Sequence, residues 1–401
     1  YIKDPTSEVV YLGFQTSGVT YNIYNPNGVA VFTTTTNANC TSAAMAIAGP
    51  VPVIGASGYT PQTYTPASGS PAGNYYIEFS ATNDVTYWDI TVASSGAPAV
   101  AKLGRVWSMI WYFDMGGWAA SQAFAATMYA YSTEGFVSKV DYSTSDFRPY
   151  VFSIYYNASG PGVSGNLELD RKSVNGSEAG TPSFPVFLNP PPEEIMPSST
   201  FGDFASIPTI GRTAASGADK FSFNLSATQA GTFSVLLNVE NPLVPAVYDD
   251  MAGTKDRILV YDIIPFPGET PPYIRSIPWN GLDGAGNTLA DGFMLNLSAY
   301  YADGRSHFPT YDAEYLYNGL TVQQVRPSNG YTVKIYYDDS NIPDNNGSGS
   351  SHIEYNGALS PAHKWSNNNY GDQNTINTWW YCSVKTSADY SKWRKSHIIK
   401  E

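Results

Sequence analysis

A chain of 401 residues is too long for one ordinary hydrophobic core, so about two to four domains are expected. Only 14% of residues are charged, against roughly 25% in most soluble domains, while 31 Tyr, 35 Gly and 28 Pro are the composition of an extracellular β protein. The formal net charge of -13 repels nucleic-acid phosphates and anionic membrane surfaces, which sets both aside as partners, and no run approaches the ~18 apolar residues of a spanning helix.

The chain opens on "YIKDPTSEVVYLGF", without a basic segment leading into an apolar one, and the expectation is a processed, secreted protein. Residues 9 to 92 read as short strands, "EVVYLGF", "GVTYNIYNPNGVAVFTTT", "NYYIEFSAT" and "YWDITVA". The reason is that β-branched and aromatic residues recur at period 2 between Gly, Pro and Asn clusters. Asn-Pro-Asn-Gly inside the second of these predicts a hairpin. "GPVPVIGASGYTPQTYTPASGSPAGN" is drawn as a surface excursion, and a domain boundary is expected near residue 100, at "ASSGAPAVAKLG".

A strand-turn rhythm resumes in "RVWSMIWYFDMG", "ATMYAYSTEGFVSKVDYS", "RPYVFSIYYNASG" and "GNLELDRKSVNGS", as in a β-sandwich. "GWAASQAFAATMYA" is read as a loop feeding a strand in spite of its alanines. The prolines of "PVFLNPPPEEIMPSS" make a stiff linker. Cleaner strands follow in "DKFSFNLSAT", "AGTFSVLLNVEN", "TKDRILVYDII" and "LTVQQVRPSNGYTVKIYYDDS", and from Asp338 the composition turns polar. The expected architecture is all-β: sandwich modules at 1–100 and 101–192, an Ig-like sandwich at 193–337, and a polar, irregular tail or the start of a further module at 338–401.

"IPWNGLDGAGNTLADGF", residues 277 to 293, has the parts of a strand, a tight turn and a return strand. Trp279 has the bulk to anchor a core, and Gly281, Gly284, Gly286 and Gly292 permit backbone angles closed to other residues. Asp283, Asn287 and Asp291 are spaced by four and offer oxygen ligands that could hold Ca²⁺, although the EF-hand spacing is absent.

This stretch resembles the W-[DN]-G-x-D-x-x-G-N-x-x-x-x-G motif of the Ig-like domain in the flagellar hook-capping protein and in secreted proteins of Bacteroidota. Trp279, Gly281, Asp283, Gly286, Asn287 and Gly292 match it. The resemblance implies a buried Trp and an Asp-Gly-Asn turn that shapes the hairpin. The order of further segments widens it: "LGRVWSMIWYF", "MYAYSTEGFVSKVDY", "FPVFLNPPP", "KDRILVYDIIP", "HFPTYDAEYLYNGLTVQQVRP" and "NTWWY". Together they are similar to the N-terminal region of giant gliding-motility-associated surface adhesins, over about residues 100 to 382. That resemblance implies export by the type IX secretion machinery, outer-membrane partners, a cell-surface location and a much longer parent chain. It carries no catalytic residues.

Nucleophile-elbow, zincin, P-loop and dinucleotide motifs are missing, and the four histidines are His307, His352, His363 and His397. His352 and His363 would recruit Zn²⁺ only if Asp338 or Asp339 folded back. The adjacent acidic pairs point to opposite faces of a strand, so none is a natural acid/base pair for glycoside hydrolysis. For contact with a glycan, "WSNNNYGDQNTINTWWY" offers Trp365, Asn367, Asn368, Asn369, Tyr370, Trp379 and Trp380, with core packing as the other reading. Consecutive tryptophans on a strand face opposite ways, so one of Trp379 and Trp380 is expected at a surface or interface. A bridge between Cys40 and Cys382 would tie the first domain to the tail in an oxidising compartment, and two free thiols are the other reading.

Composition supports a modular secreted β protein; the function that the resemblance implies is adhesion, through surface polysaccharide or another surface contact, by part of a large secreted protein. A subunit of an extracellular filament or sheath and a secreted carbohydrate-active enzyme or binding module remain as alternatives. No cofactor is expected beyond the Ca²⁺ considered above.

Overall fold

The computed structural model describes the chain except residues 82–84, 117–121, 178–179, 214–219, 240–254, 291–293, 328–329, 331, 343–352, 360, 367, 388–390 and 395–401. The fold is all-β. Antiparallel sheets dominate, and among the described residues no helix is longer than the six residues of Ala43–Ala48 or Asn368–Gln373. The chain forms two compact units, Tyr1–Trp107 with Phe187–Pro197, and Ser108–Val186 with Ser198–Glu401.

In the first unit, Glu8–Phe14 lies between Gln62–Tyr64 and Trp88–Ser94, and a second sheet has the order Ala30–Asn37, Ser17–Tyr24, Tyr76–Phe79. Every residue of Glu8–Phe14 is buried, because both of its faces are covered. Val10, Leu12 and Phe14 pack with Tyr21 and Ile23, while Val9 and Tyr11 pack with Ala93 and Ala99. The Asn-Pro-Asn-Gly hairpin forms with Gly28 at φ 74°. The segment drawn as a surface excursion is more ordered than expected. Pro50 caps the helical turn Val51–Ile54 and Pro52 sits in its first turn, and Tyr59 and Tyr64 are buried, so aromatic anchors outweigh the Pro/Gly/Ser composition.

The second unit joins segments that the sequence suggested as separate modules. Val137–Asp141 pairs with Thr321–Arg326, and Asn374–Trp380 pairs with both Val174–Asn175 and Ser306–Thr310. Turn residues mark where strands end but do not choose their partners, which is why these long-range pairings are invisible to a local reading. Within this unit Gly231–Asn238 runs between Arg257–Ile263 and Met294–Asp303. The facing sheet places Lys220–Ala227 between Phe204–Thr213 and Tyr273–Trp279. Phe233, Val235 and Leu237 alternate toward the core between these sheets, where Trp279 lies 5.2 Å from Phe221 and 6.1 Å from Phe223 by ring centroids.

The expected irregular tail contains a central strand instead. Asn374–Trp380 is buried at all seven positions. Trp379 packs on one face with Leu236, Tyr300 and Tyr336, and on the other face Trp380 meets Tyr156 edge-on and donates Nε1–H to Ser138 Oγ at 2.9 Å. Neither tryptophan is exposed, since the sheet is covered on both sides.

Candidate functional site

The Trp-Asn-Gly stretch folds as a closed hairpin. Trp279 is buried and its Nε1–H donates to the Leu282 carbonyl at 3.0 Å, so the ring fixes the start of the turn. The Asn287 N–H donates to Asp283 Oδ1 at 2.7 Å, its side-chain amide to Asp283 Oδ2 at 3.3 Å, and the Asp283 N–H returns to the Asn287 carbonyl at 2.9 Å. Gly281 and Gly286 take φ of 72° and 82°, which the turn requires and a side chain would strain. Asp283 and Asn287 are thus engaged with each other in holding the turn, rather than set out as two separate cation ligands. Asp291 and Gly292, the remaining residues of the proposed Ca²⁺ set and motif, lie outside the described residues.

Beside this hairpin is a polar pocket of about 330 Å³. Its walls come from the helical turn Leu167–Asp170 with Lys172, from the start of the strand Arg257–Ile263, and from the turn between Asn280 and Gly286. Arg257–Ile263 is the outer strand of its sheet, and the Val260 N–H is accepted by Glu168. Burial raises the Glu168 carboxyl above its ordinary value, with the Arg257 charge opposing the shift. Arg257 Nη1 donates to Asn280 Oδ1 at 2.9 Å and lies 3.4 Å from the Leu282 carbonyl, and the Gly284 N–H donates to the Lys255 carbonyl at 2.8 Å, so the pocket floor and the hairpin are one bonded unit. Lys172 Nζ lies 3.3 Å from Asp338 Oδ2 and donates to Ser340 Oγ at 3.2 Å. None of this is legible locally, because the walls come from three segments far apart in sequence.

A second constellation is buried. Asp339 does fold back on His363, with Oδ2 at 3.1 Å from Nε2, but His363 Nδ1 is held by Thr378 Oγ1 at 2.8 Å and the ring stacks on Tyr337 at 3.9 Å. Ser173 Oγ donates to Asp339 Oδ1 at 2.6 Å, and the Tyr370 hydroxyl donates to Oδ2. Burial alone would raise the Asp339 carboxyl, but the charge and hydrogen bond of His363, with those from Ser173 and Tyr370, outweigh it and hold the group below its usual range. With both ring nitrogens engaged, His363 has no lone pair facing an open position. His307 is likewise enclosed, stacked on Trp379 and bonded at Nδ1 to the Asn377 amide at 3.0 Å, and burial holds it well below the ordinary histidine value. His352 and His397 lie outside the described residues.

A third group has almost no signature in the sequence. The carboxylates of Asp312, Glu314 and Asp372 approach within 4.8 Å of one another at partly buried positions. Gly371 makes this approach feasible, since a Cβ there would fall 1.9 Å from the Ala313 carbonyl oxygen. Burial, the bond to Asp372 and the charge of Glu314 push Asp312 up to about 6. An Asp-x-Glu spacing is the sole local hint, and Asp372 is distant in sequence.

The aromatic patch proposed for glycan contact is core. Trp365, Tyr370, Trp379 and Trp380 are at most 4% exposed, so none offers a ring face to a ligand. Trp365 donates Nε1–H to the Ala313 carbonyl at 2.7 Å. Asn368 and Asn369 belong to the helix Asn368–Gln373, and Asn367 lies outside the described residues. Cys40 and Cys382 are both free and buried, which replaces the bridge considered between them. No protein-family model, curated protein or solved structure matches the chain.

Proposed function

We propose that this chain is part of a large secreted cell-surface adhesin, exported by the type IX machinery, in which it acts as a stiff, ligand-contacting display region. The observation that carries the reading is the hairpin from Trp279 to Asn287. Its buried Trp, its Asp283–Asn287 bonds and its two positive-φ glycines give each of these motif residues a structural task, as the resemblance to secreted Ig-like modules implies. Strands paired across long stretches of chain add to it, because extension of the second unit must break several ladders together. The weakly charged, Tyr-, Gly- and Pro-rich composition suits an extracellular setting.

The test is made on native cells. Antibodies against this chain should label intact cells, external protease should remove the signal, and the parent polypeptide should have a mass several times 43.5 kDa. Deletion of the segment should reduce attachment to polysaccharide surfaces. Labelling that requires lysis, or attachment unchanged by the deletion, would sink the reading.

A further inference from the structure

The geometry points to the pocket beside the hairpin as a binding site for a neutral saccharide of one or two rings. The inference rests on the adhesin reading for its choice of a saccharide among neutral polar ligands; the site itself is argued from its walls. Its volume of about 330 Å³ is at the small end of the ~300–1,000 Å³ typical of small-molecule sites.

The polar lining decides the class of ligand. Glu168 and Asp256 supply carboxylates, Asp283 adds a charge that stays bonded to Asn287, Lys172 and Arg257 supply cations, and Asn280 supplies an amide. Each cation has an oxygen partner already, Lys172 in Asp338 and Ser340, and Arg257 in Asn280, so neither is a bare anion receptor. A ligand of either charge meets groups of its own sign across the pocket. A divalent cation is poorly served, because among the described residues the carboxylates that converge at ligand distances are Asp312, Glu314 and Asp372, which lie elsewhere. Hydroxyl groups, which donate and accept, match a lining of mixed donors and acceptors.

The apolar part of the wall fits the C–H faces of a sugar ring. Leu169 lines the pocket 58% exposed, together with the half-buried Leu282 and the buried Ile258. A leucine left in water at the mouth of a polar pocket gains by being covered, at roughly 25 cal/mol per Å² of apolar surface removed from solvent. The Trp279 hairpin fixes the opposite wall, so the cavity is formed before a ligand arrives.

The experiment uses the purified 401-residue chain and a panel of glucose, galactose, mannose, N-acetylglucosamine and their disaccharides, followed by saturation-transfer NMR and titration calorimetry. At least one sugar should saturate with a dissociation constant on the order of 1 mM. Leu169→Trp, which fills the mouth and removes no hydrogen bond, should weaken it by about tenfold or more with an unchanged unfolding midpoint. Glu168→Gln should weaken it without blocking entry. The inference is overturned if no sugar saturates, if inorganic phosphate or Ca²⁺ occupies the pocket in preference, or if Leu169→Trp leaves the affinity unchanged. Sugar binding by a chain found only inside cells would keep the pocket and sink the adhesin reading, and a surface-exposed chain that binds none would do the reverse.

Discussion

Among the strands buried along their whole length, Glu8–Phe14 and Asn374–Trp380 are buried by different means. Glu8–Phe14, "EVVYLGF", is apolar at most positions and packs hydrocarbon on both faces. Asn374–Trp380, "NTINTWW", brings four amide or hydroxyl side chains into the interior. Each of these has a partner: Asn374 donates to the Tyr370 carbonyl at 2.8 Å, Thr375 to the Gly176 carbonyl at 2.9 Å, Asn377 to the Arg171 carbonyl at 2.6 Å, and Thr378 meets His363. The first strand is held by a transfer energy that is indifferent to direction, whereas the second depends on a specific set of partners and so tolerates less change.

Substitutions should separate the two modes. The largest loss is expected for His363→Ala, which leaves the buried Asp339 carboxylate beside the polar strand without its neighbour, at roughly 3–5 kcal/mol in urea unfolding. Leu12→Ala in the apolar strand should cost about 3 kcal/mol through lost contacts and a cavity, while Leu12→Met should cost under about 1.5 kcal/mol, since apolar volume is what that site requires. Thr378→Val, nearly isosteric, should still cost about 1–3 kcal/mol because a buried imidazole nitrogen loses its partner. If Thr378→Val proved as mild as Leu12→Met, the distinction between the strands would collapse.

The smallest effect is a slope. Burial pushes Glu134, whose carboxylate accepts the Gly304 N–H, up to about 7, and pushes Asp303 up to about 6. Both folded values lie above the unfolded ones, so the native state binds more protons between about pH 4 and 7 and their contribution to stability falls as pH rises through that window. Thermal midpoints measured across this range should show Glu134→Gln losing part of the decline. Equal slopes in the two proteins would remove Glu134 from the account.

The contrast also explains what could be read from the sequence. Glu8–Phe14 and the Asn-Pro-Asn-Gly hairpin were legible because period 2, β-branched residues and a left-handed glycine are local signals. Asn374–Trp380 looks like part of a polar tail until Ser173, Gly176 and Arg171 arrive to bond to it, and nothing nearby announces them. The Trp279 hairpin was legible as a turn, yet the pocket beside it was not, because Lys172 and Arg257 reach it from separate segments. Trp379 and Trp380, suggested for glycan contact, illustrate the converse: composition identifies sticky side chains but does not show that a sheet covered on both sides buries both.

Each compact unit carries one sealed thiol, Cys40 in the first and Cys382 in the second. Cys382 lies 3.4 Å from Ser138 Oγ, and burial pushes its thiol up to about 12; Cys40 is raised as well, again by burial. A thiol in that condition is inert to alkylating reagents until the surrounding strands part. The pair therefore works as two built-in clocks: mass-spectrometric counting of maleimide adducts would time the opening of each unit separately, in one sample and with no engineered probe.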